Sequence, residues 1–263
     1  MRRYTPLGTY AGLLDNTKDG NESIKASCCP NLTRFILLAN TRLSMKITDI
    51  ARRASPPILP DLYLENRVLL DRFMDRCREI TILLLSSLSD SLGLQGLSRF
   101  EQSHSSYMPA NSCLNLFNYP KLANIDQFGQ NKHTDNGSLT LLFADQPGLQ
   151  ILSPRSGIWG SVPPQHSHVV VNVGDTLRFL SGRRFHSSIH RVVPTFESSQ
   201  HQRLVVGYFL RAEDKKIMED NEGNIITARQ WHDRKYDNYQ AAHSVQKTNT
   251  ILTGGMEECV EQM

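Results

Sequence analysis

The stretch NKHTDNGSLTLLF, residues 131–143, decides which fold and chemistry this sequence can support. Its second half is a short apolar run that follows the turn signal Asn136-Gly137, a pattern typical of a β-strand. Its first half places His133 and Asp135 two residues apart. Because residues i and i+2 of a strand point to the same side, this pair can bind one metal ion.

Further short, apolar and often β-branched segments surround this stretch from about residue 113 onward. Turn residues such as Pro147-Gly148, Gly174-Asp175 and Ser181-Gly182 separate them. Many short strands at close spacing with turn signals predict a β-sandwich or a β-barrel. The predicted strands lie in LNLFNY, SLTLLF, GLQILS, HVVVNV, TLRFL, SSIHRVV and QRLVVGYFL.

Helices are predicted on both sides of this β-rich region. A long helix is expected from about residue 63 to residue 92, ended by Gly93, because six residues recur at steps of three and four. Its predicted buried face consists of Leu69, Phe73, Cys77, Ile80, Leu84 and Leu88. In the polar tail, ITARQWHDRKYDNYQ (226–240) predicts an amphipathic helix that packs Trp231 and Tyr236 onto the body.

Composition limits the classes of function. The 263 residues carry a net charge of +3 and no long basic run, so nucleic-acid binding has no electrostatic support. No apolar stretch reaches the roughly 18 residues of a membrane span, and the N-terminus does not read as a signal peptide. We therefore expect a cytosolic protein. The cysteines at 28, 29, 77, 113 and 259 lack C-x-x-C spacing and are predicted to be reduced thiols.

A second histidine would complete a metal site with His133 and Asp135. Two histidines and one carboxylate form the facial triad of non-haem iron oxygenases, which leaves open positions on the metal. Among the downstream candidates, His166 and His168 lie in a segment that reads as a loop rim. His186 and His190 are four residues apart, and on a strand both would face one side, so geometry leaves both open.

The order of these motifs resembles the isopenicillin N synthase-like branch of the 2-oxoglutarate and Fe(II)-dependent dioxygenases, in its fungal form. The segments NKHTDNGSLTLLF, GLQIL, VVVNVGDTLRFLSG, HRVVP and QRLVVGYFL follow one another in the order and at the spacing of that family. The resemblance implies a mainly β fold with flanking helices, a double-stranded β-helix or jelly-roll barrel. It also implies that His133, Asp135 and His190 bind the metal, with His186 outside the motif.

The same resemblance implies the cofactor chemistry. Arg203 and Tyr119 would bind the distal carboxylate of 2-oxoglutarate, a role that suits the planar fork of a guanidinium. An enzyme of this family uses Fe(II), 2-oxoglutarate and dioxygen to hydroxylate, desaturate or cyclise a small organic substrate. Fungal members of the branch often act in secondary-metabolite biosynthesis. Phe143 and Phe185 are expected to line the substrate pocket.

The resemblance also predicts three parts along the chain. Residues 1–110 would form an extended and helical segment packed on the barrel, residues 111–211 the jelly-roll core, and residues 212–263 a C-terminal helical tail. Family members carry a further N-terminal region ahead of the segment that resembles RRYTPLGTY, so the chain looks N-terminally shortened.

One departure from the family pattern bears on activity. The family usually has Arg-x-Ser, whereas Val205 stands where that serine is expected and has no hydroxyl to donate to the co-substrate. Two alternatives therefore stay open beside an active dioxygenase. The chain could be an inactive homologue that binds metal, or an oxidase of the same fold that does not use 2-oxoglutarate.

Overall fold

The computed structural model describes residues 4–5, 22–26, 46–48, 65–119, 129–193, 195 and 202–257. The strands in these residues are β1 Tyr4–Thr5, β2 Glu22–Ala26, β3 Lys46–Thr48, β4 Cys113–Tyr119, β5 Gln130–His133, β6 Leu139–Ala144, β7 Leu149–Leu152, β8 Trp159–Ser161, β9 Val170–Val173, β10 His190–Val192, β11 Arg203–Leu210, β12 Ile217–Glu219 and β13 Ile225–Thr227. The helices are α1 Arg67–Ser91, α2 Asp175–Leu180, α3 Ala228–Gln240 and α4 His243–Gln246, with 3-10 turns at Gly96–Ser98 and Phe100–Ser103.

Two antiparallel sheets form the body of the described part. The larger sheet has the strand order β1-β2-β3-β4-β11-β6-β9, and the smaller one has the order β5-β10-β7-β8. Strands β12 and β13 form a separate hairpin. This architecture agrees with the predicted mainly β fold with flanking helices.

The alternation of side chains along β11 divides the larger sheet into two faces. Val206, Tyr208 and Leu210 belong to the main hydrophobic core, where they join Leu70 and Met74 of α1. Arg203, Val205 and Phe209, which have the opposite phase on β11, line a cavity instead. Because successive strand residues point to opposite faces, one strand serves both the core and the cavity.

Helix α1 has nearly the predicted bounds and ends as predicted. Gly93 has a φ of +66°, the left-handed conformation that favours glycine. The N–H of Leu94 donates to the carbonyl oxygen of Ser89 at 3.0 Å, and the N–H of Gly93 donates to that of Asp90 at 3.0 Å. These two hydrogen bonds form the Schellman motif, which satisfies carbonyl groups that the helix end leaves without partners.

The predicted buried face of α1 was partly wrong. Cys77 is buried, but Ile80 is 41% exposed and the other four predicted residues are half-buried. Two residues with hydroxyl groups, Thr81 and Ser89, lie on the buried face of the helix, where their hydroxyl groups form hydrogen bonds. Thr81 donates to the carbonyl oxygen of Cys77, and Ser89 donates to Glu101. The buried residues are Leu70, Met74, Cys77, Thr81, Leu85 and Ser89.

The segment TLRFL was predicted to be a strand and is instead most of helix α2. The N–H groups of Asp175 and Thr176, in the first turn, donate to the carbonyl oxygens of Asp135 at 2.7 Å and Gly137 at 3.0 Å. The first N–H groups of a helix have no partner within the helix. Here a loop that is distant in sequence supplies the acceptors, so the local apolar pattern could not indicate the helix.

Helix α3 was predicted correctly. Thr227 begins it with a capping box, in which its hydroxyl accepts from the N–H of Gln230 and the Gln230 side chain accepts from the N–H of Thr227. Trp231 is buried, as predicted, whereas Tyr236 is half-buried and stacks on His232. No helix in the described residues combines the length and the apolar character that crossing a membrane requires.

Cys77 and Cys113, the cysteines within the described residues, are both buried and form no disulfide with each other. Burial raises the pKa of the Cys77 thiol to about 12. Cys28, Cys29 and Cys259 lie outside the described residues.

A buried histidine gives the fold a testable pH dependence. Nδ1 of His104 lies 2.8 Å from the carbonyl oxygen of Phe100, and Nε2 lies 2.7 Å from Oγ of Ser138. Nδ1 must donate to that carbonyl, so neutral His104 accepts from Ser138. Burial is the main cause that lowers the pKa of His104 to about 4 from its usual 6.5.

We expect the free energy of unfolding to fall as the pH falls through this range. Below its usual pKa the unfolded chain takes up a proton at His104, but the folded protein does so only near its lower pKa. Between about pH 7.5 and about pH 5 this group should cost about 2 kcal/mol of stability. Urea unfolding of wild type and His104→Gln at both pH values measures the difference. Equal pH slopes in the two proteins would contradict the assignment.

Candidate active site

The structure brings the three predicted metal-binding side chains together. Strand β10 pairs with β5 so that His190 lies directly opposite His133, and their ring centroids are 4.2 Å apart. The possible ligand atoms of His133, Asp135 and His190 all lie within 4.8 Å of one another. Two imidazoles and one carboxylate at this separation can hold a metal ion with open positions for other ligands.

Asp135 reaches this cluster by a route that differs from the expectation. Strand β5 ends at His133, so Asp135 lies two residues beyond it and does not share a strand face with the histidine. Backbone hydrogen bonds fix its segment instead. The N–H of Thr134 donates to the carbonyl oxygen of Leu252 at 2.9 Å, and the carbonyl oxygen of Asp135 accepts from Asp175.

Hydrogen bonds orient each side chain of the cluster. Nδ1 of His133 lies 2.7 Å from the carbonyl oxygen of Asn131, and Nδ1 of His190 lies 3.1 Å from that of Ser188. Because these nitrogens must donate to carbonyl groups, the Nε2 atoms keep their lone pairs for a metal. The backbone thus selects the tautomer that can bind the ion.

The Asp135 carboxylate is held in the same manner. Its Oδ2 accepts from Oγ1 of Thr140 at 2.6 Å and from Nδ2 of Asn172 at 2.8 Å. Its Oδ1 lies 3.9 Å from Nε2 of His190. One oxygen is therefore occupied by hydrogen bonds, and the other is turned toward the histidines.

The electrostatics favour the protonation states that metal binding needs. Burial, followed by the charge on His190, lowers the pKa of His133 to about 3, so this imidazole is neutral at physiological pH. Burial alone would raise the pKa of Asp135. The two histidines and the hydrogen bonds from Asn172 and Thr140 outweigh it and lower that pKa to about 2. A neutral imidazole and an ionised carboxylate are the forms that bind metal ions.

The other predicted histidines lie elsewhere. His166, His168 and His186 are exposed, and none of them belongs to the cluster. Of the two histidines that spacing alone left open, the structure brings His190 to the cluster and leaves His186 outside it. His186 projects from the loop before β10, so the even spacing of the two did not place them on one strand face.

A cavity of about 320 Å³ adjoins the cluster and contains the two predicted co-substrate residues. Arg203 and Tyr119 are directly opposite each other in the β11–β4 ladder, and both are buried. The guanidinium carbon of Arg203 lies 5.0 Å from the centre of the Tyr119 ring. Arg203 thus lines the same space as His133, Asp135 and His190.

Arg203 is 2% exposed and has an unsatisfied donor. Its Nε donates to the carbonyl oxygen of Pro147 at 2.9 Å, but its Nη1 is buried without a hydrogen-bond partner in the described residues. Burial lowers the pKa of the guanidinium, and Tyr119 opposes that shift. Since a buried cation with an unmet donor is costly, an anionic ligand in the cavity would compensate it.

The expectation that Phe143 and Phe185 line this cavity was wrong. Phe143 packs against Phe73 of α1 with ring centroids 5.3 Å apart, and Phe185 packs against Phe100 at 5.9 Å. Both side chains are partly buried and pack against the main core. On β6 the residues that face the cavity are Thr140 and Leu142, which have the opposite phase of the strand alternation.

Sequence reasoning also missed several residues of the site. Asn172 binds Asp135 and interrupts the apolar run VVVNV, which is a signal that could have been read. Tyr239 of α3 stands edge-on to His133 with ring centroids 5.3 Å apart. Its position on a helix about one hundred residues away in sequence carries no local signal.

Comparison with known proteins identifies the family. The sequence model of the 2OG-Fe(II) oxygenase superfamily matches residues 110–212. The 2-oxoglutarate-dependent dioxygenase FG08081 of Gibberella zeae is 38% identical over 256 residues, which cover 97% of this chain and 70% of that protein. The chain belongs to the 2OG-Fe(II) oxygenase superfamily. The dioxygenase iboH of Amanita muscaria is 45% identical over 203 residues, covering 76% of this chain and 98% of that protein.

Solved structures confirm the jelly-roll fold of this 2OG-Fe(II) oxygenase. A full-length Neurospora crassa protein solved in complex with alpha-KG superimposes with a TM-score of 0.61 at 21% identity, covering 89% of this chain and 74% of that one. A putative oxygenase from Shewanella oneidensis gives a TM-score of 0.54 at 18% identity, covering 84% of this chain and 71% of that one. The protein is a non-haem iron dioxygenase whose cofactors are Fe(II), 2-oxoglutarate and dioxygen.

Proposed function

We propose that His133, Asp135 and His190 hold the Fe(II) ion of this dioxygenase. The convergence of their ligand atoms within 4.8 Å is the observation that carries the proposal. It is supported by the two Nδ1 hydrogen bonds and by the lowered pKa values of His133 and Asp135. Iron held here would have positions open to 2-oxoglutarate and dioxygen.

Arg203 and Tyr119 bind the distal carboxylate of 2-oxoglutarate in this proposal. The buried Nη1 of Arg203 lacks a partner in the described residues, and a carboxylate would accept from it. The presence of this cation in the cavity argues against an oxidase that does not use 2-oxoglutarate, since such an enzyme would leave the guanidinium uncompensated.

The remainder of the cavity would bind a small organic substrate. Aromatic side chains from the larger sheet and from α3 line it, and amide side chains supply hydrogen-bonding groups. These residues include Asn115, Phe117, Phe209, Tyr236, Tyr239 and Gln246. Such a lining suits a partly planar, apolar molecule with a few polar substituents.

The enzyme would hydroxylate, desaturate or cyclise this molecule. The protein's part in that reaction is to orient the reacting C–H bond beside the iron and to exclude water. By analogy with its fungal relatives, we place the reaction in secondary-metabolite biosynthesis. A cytosolic location and the three-part division at residues 110/111 and 211/212 stay predictions.

Turnover tests this proposal directly. Iron-loaded protein supplied with 2-oxoglutarate and dioxygen should release succinate, whereas the same protein treated with a chelator should not. Succinate is the product of the co-substrate, so the organic substrate need not be known if a reductant such as ascorbate is added to supply the two electrons that the substrate would otherwise give. Iron binding without succinate release would favour the inactive homologue. Substrate oxidation that does not depend on 2-oxoglutarate would favour the oxidase.

Replacing Val205 with serine should tighten the binding of 2-oxoglutarate. Val205 lines the cavity two residues from Arg203, so a hydroxyl there could donate to the same carboxylate. A hydrogen bond to a charged group contributes about 1.5 to 3 kcal/mol, or roughly a ten- to hundredfold change in affinity.

The measurement for Val205→Ser is an anaerobic titration of the iron-loaded protein with 2-oxoglutarate. Leu204→Ser is the matched control, because Leu204 is on the same strand but does not line the cavity. An unchanged midpoint in Val205→Ser would show that the carboxylate does not lie beside residue 205.

A further inference from the structure

A buried lysine of α3 lies directly behind the segment His133-Thr134-Asp135, which carries two of the proposed metal ligands. Lys235 is completely buried, and its Nζ donates to Oγ1 of Thr134 at 2.6 Å. Thr134 is the residue between His133 and Asp135. The same Nζ forms an ion pair with Asp175, which is also completely buried.

Asp175 connects this lysine to both segments that carry the metal-binding side chains. Its backbone N–H donates to the carbonyl oxygen of Asp135 at 2.7 Å. Its Oδ1 accepts from Oγ of Ser187 at 2.9 Å, and Ser187 precedes His190 by three residues. Its Oδ2 also accepts from Nε1 of Trp231, one turn before Lys235 on α3.

The surroundings of the pair leave little room for its members to move. A Cβ atom on Gly174 would lie 2.3 Å from the carbonyl oxygen of Gly137, and one on Gly254 would lie 2.5 Å from Oδ1 of Asp175. A side chain at position 174 would force the backbone to shift, and one at position 254 would displace the Asp175 carboxylate. Burial lowers the pKa of Lys235, while Asp175 and Asp135 both raise it, so the ammonium also interacts with the candidate metal site.

Stability alone is a weak reason for such a pair. Taking two charges out of water costs several kcal/mol per ion, and apolar replacements of buried ion pairs are often as stable. The pair is distinguished by its contacts, because it joins α3 and α2 to the Thr134–Asp135 segment on one side of the site and to the Ser187 hydroxyl on the other. Groups that orient metal ligands from behind influence metal affinity even though they do not touch the metal.

We propose that Lys235 and Asp175 are positioning residues for the iron site. They fix the His133–Asp135 segment relative to the Ser187–His190 segment, so that the three ligand side chains converge before the metal arrives. Through Lys235, the C-terminal helix α3 is a part of the site's framework. The inference rests on the proposed assignment of His133, Asp135 and His190 as ligands.

The test compares metal affinity in two variants that each neutralise one ion pair. In Lys235→Met/Asp175→Asn both charges of the positioning pair are removed together, which avoids leaving one buried charge alone. Arg99→Met/Glu101→Gln removes a control ion pair, in which Arg99 lies between the two 3-10 turns after α1 and Glu101 lies in the second. Metal-free folded protein is titrated with Co(II), an air-stable probe whose visible absorption reports coordination geometry.

We expect the Lys235→Met/Asp175→Asn protein to bind Co(II) roughly ten- to a hundredfold more weakly, with an altered visible spectrum. The control variant should keep the wild-type affinity and spectrum. A folded Lys235→Met/Asp175→Asn protein with wild-type affinity would overturn the proposal and leave the pair a purely structural role.

Two further measurements keep the outcome decisive. If the double variant does not fold, the Co(II) affinity of Thr134→Val tests the proposal instead, because this variant removes only the hydroxyl that Lys235 contacts. Weaker Co(II) binding by Thr134→Val supports the proposal, and wild-type binding overturns it. His133→Ala tests the ligand assignment separately. If that variant keeps full Co(II) affinity, the proposed ligand set has failed, whatever the positioning pair does.

Discussion

His133→Ala and Asp135→Ala should each abolish iron binding at micromolar metal concentrations. Each variant removes one of three protein ligands, and two ligands are too few for a facial site. Equilibrium dialysis of the purified variants against Fe(II) under anaerobic conditions gives the bound metal directly. Circular dichroism of the same samples checks that they remain folded. Full iron retention by both folded variants would end the assignment of this cluster as the metal site.

The two histidines that precede and begin β10 provide a matched comparison within that experiment. His190→Ala should lose the iron, whereas His186→Ala should keep it, because His186 is exposed and lies outside the cluster. Both variants remove an imidazole from nearly the same place in the sequence. The opposite pattern would show that the third ligand had been assigned to the wrong histidine.

The sequence predicted the parts of the fold that local physical chemistry determines. The predicted β segments other than TLRFL became strands, Gly93 ended α1 in the left-handed conformation, and the amphipathic segment 226–240 formed α3. The resemblance to a known family chose His190 over His186, a choice that spacing could not make. In each case the deciding information lay within a few residues or in a motif of fixed order.

The errors arose where distant contacts decide local structure. Helix α2 begins where carbonyl groups of the 135–137 loop accept its first N–H groups. The run LTLLF has apolar residues in both phases of the strand, so its pattern could not tell whether Leu142 or Phe143 faces the cavity. Thr140 settles that phase, because its hydroxyl binds the Asp135 carboxylate.

The residues that α3 contributes near the site also could not be predicted from sequence patterns. Lys235 and Tyr239 reach Thr134 and His133 from α3, about one hundred residues later in the chain. A lysine in a polar helix normally indicates a solvated face. Its complete burial here depends on Asp175, whose own position follows from the helix that the strand prediction had missed.

Arg203→Ala should leave iron binding intact but greatly weaken the binding of 2-oxoglutarate. The variant would strand the buried carboxylate of the co-substrate without its cation. By analogy with broken buried ion pairs this costs about 3 to 5 kcal/mol, a loss of roughly a hundred- to several-thousandfold in affinity. The measurement is an anaerobic titration of the iron-loaded protein with 2-oxoglutarate, following the metal-to-ligand absorption band.

Two control variants, Arg203→Lys and Arg155→Ala, test whether this result is specific to the guanidinium of Arg203. Arg203→Lys should restore only part of the affinity, because an ammonium is a point charge and cannot form two parallel hydrogen bonds to a carboxylate. Arg155→Ala removes the same charge from an exposed turn and should leave the midpoint unchanged. If the wild-type protein shows no band at millimolar 2-oxoglutarate, the site does not bind this co-substrate. If the band forms and Arg203→Ala keeps the wild-type midpoint, the iron site stands and another residue must hold the carboxylate.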